Sequence, residues 1–407
     1  MRTAVVVGAG IGGIAAAGAL ARTGWQVTLL ERDDRLRPGR GALVLWPNGV
    51  RALRGLGLAG GLDGIATPVP PVGIRRPDGQ WLVRPVAGAG TGALDGGDVE
   101  SPPVVVHRED LHDAFIAGLS DQVDIRNAIE VQPARVRRER PAVGDGRTTF
   151  EADLIVAADG VQSAIRRRLA PATSFTSGGF AAWRAVIPWY RIPDLPPGLP
   201  PHGETLDGGH RFTFASLGER GSSGGSTRGG ISWVATVPGA LRPEPPAGQL
   251  ALLRRWFAGW HAPIPQLLAA TEPDDLVQDP IGELAPLPET FGVRAGTGGY
   301  ALIGDAAHAM PHHLAQGACL ALEDVATLQA VLANVRGPLG PALDEYSRLR
   351  RPRATRVLQQ SRKASAVLQP RGGLTSRAMG AALGRANPRT LDRAAAAAAE
   401  WAGPTSS

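Results

Sequence analysis

"TAVVVGAGIGGIAAAGALARTGWQVTLLE", residues 3–31, decides the fold. Residues 3–7 are β-branched or small, run without interruption and stop at Gly8, which predicts a short buried strand. The turn Gly8-Ala9-Gly10-Ile11-Gly12-Gly13 matches G-x-G-x-x-G. An Ala/Leu-rich run over 14–22 predicts a helix that Gly24 ends, and 25–30 predicts a second strand closed by Glu31. Each part has a physical task at a dinucleotide. Gly8 permits the tight turn, Gly10 removes a side chain from the path of a pyrophosphate, and Gly13 lets helix and strand pack closely. The helix start offers unpaired N–H groups and a positive dipole end to phosphate. Glu31 can accept hydrogen bonds from ribose hydroxyls. The turn alone does not choose between NAD and FAD.

Working outward, "ADLIVAADGVQSAIRRRL" (residues 152–169) predicts a strand over 154–158, a turn at Asp159-Gly160 and a helix over 162–169. Ser163 and Arg166 would then stand one turn apart on the same helix face. Asp159, at a strand end, can bind hydroxyls of an extended cofactor. Further on, "GDAAHAMPHHLAQGACLALED" (304–324) follows a strand over 299–303, forms a loop over 306–316 and enters a helix over 317–335. His308, His312 and His313 have spacing i, i+4, i+5, which suits a metal only on a regular helix. Pro311 argues against that helix, so no metal site is expected.

In this order the three motifs resemble the FAD-dependent aromatic hydroxylase family, the single-component flavoprotein monooxygenases of the para-hydroxybenzoate hydroxylase type. "LVLWPNGVRALRGLGL" (43–58), "HREDL" (107–111) and "AAWRAVIP" (181–188) look most like the salicylate and 3-hydroxybenzoate hydroxylase branch and related actinobacterial FAD monooxygenases. The resemblance covers residues 1–360. It implies FAD as cofactor, with NADH or NADPH as a transient reductant. It implies hydroxylation of an aromatic or polyketide-like small molecule through a C4a-hydroperoxyflavin. The alternative is an FAD-dependent oxidoreductase or cyclase of the same fold that inserts no oxygen.

By the same resemblance, the cofactor-binding residues are Gly8, Gly10, Gly12, Gly13, Glu31, Arg32, Gly41, Ala42, Arg108, Val131, Asp159, Asp305, Gln316, Gly317 and Ala318, with Asp305 on the ribityl chain. Cys319, Glu323 and Asp324 continue onto the helix as structural residues. Arg184 approaches the flavin ring. His210, His312 and His313 are unranked candidates for a base. Three places depart from the family pattern: Ala315 stands where glycine is common, His312 where proline is usual, and "GRGAL" (39–43) where Gly-Ala-Gly-Ile is usual.

The expected fold is α/β: a Rossmann-like FAD-binding domain, an antiparallel substrate domain and C-terminal helices. Residues 1–70, 100–170 and 290–335 make the first, 71–99 and 171–289 the second, and 336–407 the helical region. In 171–289 apolar and polar residues alternate between Gly and Pro turns, which reads as an antiparallel sheet covered by helices over 250–260 and 263–271. A Gly/Ser-rich hairpin loop over 216–230 is expected within it. Trp183 reads as core; Arg211, Phe212 and Phe214 are weaker pocket candidates, and Trp233 reads equally as core or pocket. "GWHAPIP" (259–265) half-matches a flavin-dependent halogenase motif, but Ala262 replaces its second tryptophan.

Composition sets the remaining bounds. A chain of 407 residues with 43% hydrophobic and 20% charged residues is a globular protein of more than one core. Its single cysteine excludes an internal disulfide framework and suits a reducing cytoplasm. The net charge is +6, and Lys363 is the one lysine among 43 basic residues. The arginine groups over 135–140, 166–168 and 348–356 read as solvated helix faces, with no aromatic-lined basic groove for nucleic acid. Residues 4–21 imitate a signal peptide or membrane span, but their glycines belong to the dinucleotide turn, so neither is expected. The expected partner is a small, aromatic substrate, with the protein a monomer or homodimer.

Overall fold

The computed structural model describes residues 1–62, 64–70, 73–85, 102–135, 141–218, 228–370 and 373–404. Residues 86–99 of the expected substrate segment, most of the basic group over 135–140 and positions 219–227 of the Gly/Ser-rich loop lie outside the described residues.

Three parallel strands carry the three motifs. Thr3–Val7 is central, with Gln26–Leu30 on one side and Leu154–Ala157 on the other. Gly298–Leu302 extends the sheet beyond Leu154–Ala157, again in parallel. Val123–Arg126 and the antiparallel Gly292–Ala295 close the two edges. All motif-bearing strands therefore end on the same side, and their loops converge there. This is the edge at which parallel sheets bind ligands.

The helix Ile11–Arg22 is buried over almost its whole circumference, because it lies between the sheet and a second helix, Gly317–Leu332. Its small residues make that position possible. Gly24, at φ +85°, turns the chain into the second strand. The long helix Gly340–Leu368 also belongs to this body. Leu343 and Tyr346 lie in the same core, and the Tyr346 hydroxyl donates to Leu302 O at 2.8 Å.

The second body is a seven-stranded sheet in the order Val277–Ala285, Ser174–Ile187, Ile231–Pro238, His210–Ser216, His202–Asp207, Ile74–Arg75, Trp81–Val83. Every pairing is antiparallel except that between His202–Asp207 and Ile74–Arg75. One face is dry. Trp183, Phe212, Phe214, Trp233 and Ala235 pack there under the helices Pro246–Trp256 and Ile264–Ala270. Phe212 stacks on Trp233 at 5.4 Å, and the Trp183 indole donates to Gln249 Oε1 at 2.8 Å. The opposite face looks toward the convergent loops of the parallel sheet. A smaller sheet of Ala42–Leu45, Val104–His107 and Ala66–Pro68 closes the side.

Three local expectations change. Ser163 is not on the helix; it is the N-cap of a shorter helix, Ala164–Leu169, and its Oγ accepts from Arg166 N at 2.9 Å. The loop over 306–316 contains two short turns, Asp305–His308 and His312–Leu314. The arginine groups are not all solvated. Arg166, Arg350 and Arg353 are buried, at 3%, 1% and 7% exposure, because each satisfies groups inside the fold.

Candidate active site

The turn over 8–13 is closed by atoms a side chain would strike. A Cβ on Gly8, at φ +101°, would sit 2.4 Å from Ala158 O, and one on Gly13 would sit 1.9 Å from Gly8 O. Gly10 differs: a Cβ there would meet nothing within 4 Å. No atom of the chain requires glycine at that position, so the space beside it suits a ligand. Gly12 faces Ala321 and Ile303. Glu31, at the end of its strand, staples the turn: Oε2 accepts from Ala9 N at 2.8 Å, and Oε1 from Asp33 N at 3.1 Å. Arg32 beside it is exposed.

Asp159 lies beside this turn, at the end of the neighbouring strand. Its Oδ2 accepts from Ala164 N at 2.7 Å, whereas Oδ1 is buried with no partner among the described residues. Burial pushes this carboxyl above its ordinary range. Arg166 reaches back from the following helix to Val161 O at 2.5 Å and Ala306 O at 3.2 Å, joining the second motif to the third. Asp305 is exposed at the strand end, directly after Gly304. Val131 is buried in the sheet's core.

Gln316, Gly317 and Ala318 open the helix Gly317–Leu332 toward the same space. A Cβ on Gly317 would also meet nothing within 4 Å. The Gln316 side chain is held from behind. Its Oε1 accepts from Asn48 Nδ2 at 2.9 Å, and its Nε2 is buried with no partner among the described residues. Asn48 Nδ2 also donates to Glu323 Oε1 at 2.7 Å. Glu323 pairs with Arg350 at 2.7 Å and Arg353 at 2.8 Å. Asp324 accepts from Arg350 Nε at 2.7 Å, from His308 Nε2 at 2.6 Å and from Gly304 N at 2.9 Å. Two buried carboxylates thus meet two buried guanidinium groups, and the cluster ties the Gly304 turn and the Gln316 side chain to the long helix. Cys319 sits beside it, its Sγ accepting from Trp46 N at 3.4 Å, with the thiol pushed up to about 12 by burial.

Sequence reasoning missed Asn48, Arg350 and Arg353. A signal did exist for the last two. Leu343, Tyr346, Arg350, Arg353 and Val357 recur at helical spacing and share one buried stripe.

The opposite wall is the open face of the seven-stranded sheet. Arg184 stands there, its Cδ 3.2 Å from where a Cβ on Gly41 would lie, and it forms an ion pair with Asp279 at 2.6 Å. Gly41, at φ +115°, passes its carbonyl to Arg108 N at 3.0 Å, and Ala42 starts the next strand. Arg108 Nε donates to Pro38 O at 2.7 Å. A cavity of about 500 Å³ opens here, lined in part by Arg40, Gly41, His107, Val186 and Trp189.

His312 and His313 lie on the short turn beneath this face, rings stacked at 5.0 Å. His312 Nε2 is 3.5 Å from Thr236 Oγ1. The Gln369 amide donates to Gly209 O at 2.9 Å, which leaves its Oε1 to accept from His313 Nε2 at 2.6 Å. Burial first lowers both imidazoles, followed by His313 and then Arg211 for His312 and by Arg211 for His313, which falls to about 4. Both are neutral at pH 7 and act as hydrogen-bonding groups.

The His313 shift predicts a pH dependence. The folded value lies below the ordinary 6.5, so the unfolded chain binds the extra proton first. The contribution of His313 is complete above pH 6.5 and is lost as pH falls toward 4, by about 3 kcal/mol. Urea unfolding of the native chain and of His313→Gln should differ in slope across that window. Parallel curves would show that His313 is not held neutral.

His210 requires correction as a site residue. It shares its strand with Phe212 and Phe214 at a period of two, so it points to the helix-covered face, edge-on to Phe257 at 6.0 Å. The structure brings Arg184, His312 and His313 together and leaves His210 on the other side of the sheet. Ala315 takes φ +51°, the left-handed conformation. This is why glycine suits that place; alanine holds the same turn at a cost of about 1 kcal/mol.

No group of three or more His, Cys, Asp or Glu among the described residues has the arrangement of a metal site, and no described helix is long and apolar enough to cross a membrane.

Comparison with known proteins gives a consistent picture. The family model for the FAD binding domain matches residues 1–186 and 273–361. Among curated proteins, the aurachin C monooxygenase/isomerase of Stigmatella aurantiaca is 30% identical over 86% of both chains. A 3-amino-4-hydroxybenzoate 2-monooxygenase of Streptomyces platensis is 31% identical over 88% of this chain and 86% of its own. Among solved structures, Klebsiella pneumoniae HpxO complexed with FAD and uric acid superposes with a TM-score of 0.81. That match covers 98% of this chain and 96% of the other at 24% identity, a likeness of fold.

Proposed function

The chain belongs to the FAD-binding-domain family of flavoprotein monooxygenases, and from that premise we propose that it hydroxylates a small aromatic molecule at the expense of NADH or NADPH. Bound FAD supplies the two-electron redox chemistry of such a reaction. The overall balance is substrate, O2, NAD(P)H and a proton giving hydroxylated substrate, water and NAD(P)+.

One observation carries the residue assignment: the unfilled space at Gly10 and Gly317, the exposed Asp305 and the unpartnered buried atoms Asp159 Oδ1 and Gln316 Nε2 all follow the ends of parallel strands of one sheet. A ligand with phosphates at one end and hydroxyls along its length satisfies this set. In this reading the turn over 8–13 holds the pyrophosphate, with Glu31 and Arg32 on the adenosine side. Asp159 and Asp305 receive hydroxyls, and Gln316, Gly317 and Ala318 bring the positive helix end to the ring system. Gly41, Ala42 and Arg108 line the near wall, and Val131 packs behind it. In this reading the described residues of 1–70, 100–170 and 290–335 make up the cofactor unit, and those of 71–99 and 171–289 the substrate unit.

The chain's own part in the reaction is to orient and to keep water out. Arg184 places a guanidinium over the cleft, held by Asp279. His312, held neutral, offers a ring nitrogen to a substrate hydroxyl, and His313, stacked on it, fixes its plane.

The test begins with fluorescence titration of the purified chain with FAD, followed by oxygen uptake with NADH and with NADPH. Stoichiometric FAD uptake and an oxygen uptake accelerated by hydroxylated aromatics are expected. A chain that takes up no FAD, or whose NAD(P)H oxidation never responds to an aromatic, is not this enzyme.

A further inference from the structure

Building on the assignment of the cleft beneath the sheet as the substrate site, we propose that the substrate is an uncharged aromatic, one that carries no carboxylate, because both arginines of the roof are already neutralised by acids of the same face.

Antiparallel register fixes which residues share that face. Arg184 lies opposite Val234, which lies opposite Thr213, which lies opposite Glu204. One pair further along, Ala182 lies opposite both Thr236 and Asp279, and Thr236 opposite Arg211. On the five strands Val277–Ala285, Ser174–Ile187, Ile231–Pro238, His210–Ser216 and His202–Asp207, the arginines among the described residues are Arg184 and Arg211. Arg211 Nε donates to Glu204 Oε1 at 2.8 Å, with only 11% and 16% of the two side chains exposed. Arg184 and Asp279 pair at 2.6 Å, more openly. Two positive charges and two negative charges leave the roof neutral.

A carboxylate entering such a site must find a cation, because removal from water is costly without one. Sharing Arg211 sets two carboxylates against one guanidinium. Displacing Glu204 leaves that acid stranded in a site with little water. The two histidines beneath the roof add no positive charge at pH 7. The remaining groups, Thr213, Thr236 and His312 beside Ala182 and Val234, suit the flat face of a ring with a hydroxyl, carbonyl or N–H at its edge. Arg108, whose Nε donates to Pro38 O, is assigned to the cofactor, and Arg40 is exposed beside the same turn.

The experiment uses the FAD-loaded enzyme and matched ligand pairs: resorcinol with 2,4-dihydroxybenzoate, and 4-hydroxyquinoline with its 2-carboxylate. Binding is read as a perturbation of the flavin absorbance. In the native chain the carboxylate member of each pair should bind at least ~10-fold more weakly. Glu204→Gln releases Arg211 and should shrink that ratio by ~10-fold or invert it. Asp279→Asn, which releases Arg184, should move it the same way and serves if the first variant does not fold. A carboxylate that binds the native chain as tightly as its neutral partner overturns the proposal, as does a ratio unmoved in both variants. Failure of the monooxygenase reading is seen separately, as absent FAD uptake before any aromatic is added.

Discussion

Glu323→Ala should destabilise the nucleotide-binding body by about 3–5 kcal/mol, among the largest losses of any single substitution outside the glycine turn. Glu323 is fully buried and holds Arg350, Arg353 and Asn48 at once. Its removal leaves two buried guanidinium groups facing the one remaining carboxylate, Asp324, which already serves His308 and Gly304 N. The cost is chiefly that of an uncompensated buried charge; the broken hydrogen bonds themselves matter less. Glu323→Gln keeps the shape and part of the hydrogen bonding but not the charge, so it should fall between. Urea unfolding followed by tryptophan fluorescence measures both. A loss below about 1 kcal/mol for the alanine variant would mean that the cluster is hydrated and exchangeable.

Substitution in the glycine turn separates folding from cofactor binding. Gly10→Val should leave stability nearly unchanged, because a Cβ there meets no atom of the chain, yet weaken FAD by at least ~100-fold by filling the space its pyrophosphate needs. Gly13→Ala should do the reverse in order of cause. Its Cβ falls 1.9 Å from Gly8 O, so the helix must move off the strand, at about 1–3 kcal/mol, and the site is lost with it. Thermal unfolding without cofactor, combined with FAD titration, distinguishes the two. Tight FAD binding by Gly10→Val would displace the phosphates from this turn.

Much of the nucleotide-binding body was legible because its signals are local. The turn over 8–13, Asp159 after its strand and Gly304-Asp305 after theirs each announce themselves within a few residues. Parallel strands then bring them to one edge without further instruction. The charged cluster was not legible in that way. Arg350 read as part of a solvated basic group, because nothing near it in sequence shows that Glu323 and Asp324, 27 and 26 residues earlier, will be its partners. His210 failed for a different reason. Its alternation with Phe212 and Phe214 was visible, but which face of the sheet receives the helices is settled by packing of Trp183, Phe257 and Trp233, far apart in the chain. Ser163 read as helical because Ser-x-x-Arg spacing looks the same whether serine begins the helix or caps it.

The arrangement of the cleft follows from the same facts. The neutral His312–His313 stack, the paired Arg184 and the Gln316 side chain held from behind by Asn48 are placed by three different elements, all anchored in buried networks. Such anchoring is what a site needs to hold its groups within a fraction of an ångström.

Oxygen-18 labelling during turnover tests monooxygenation most directly. The FAD-loaded enzyme, NADH or NADPH, and an aromatic that accelerates oxygen uptake are incubated under labelled O2. The expected product carries one labelled oxygen on the ring, with the second atom in water. An unlabelled product, or an unchanged aromatic with all consumed oxygen recovered as hydrogen peroxide, contradicts it.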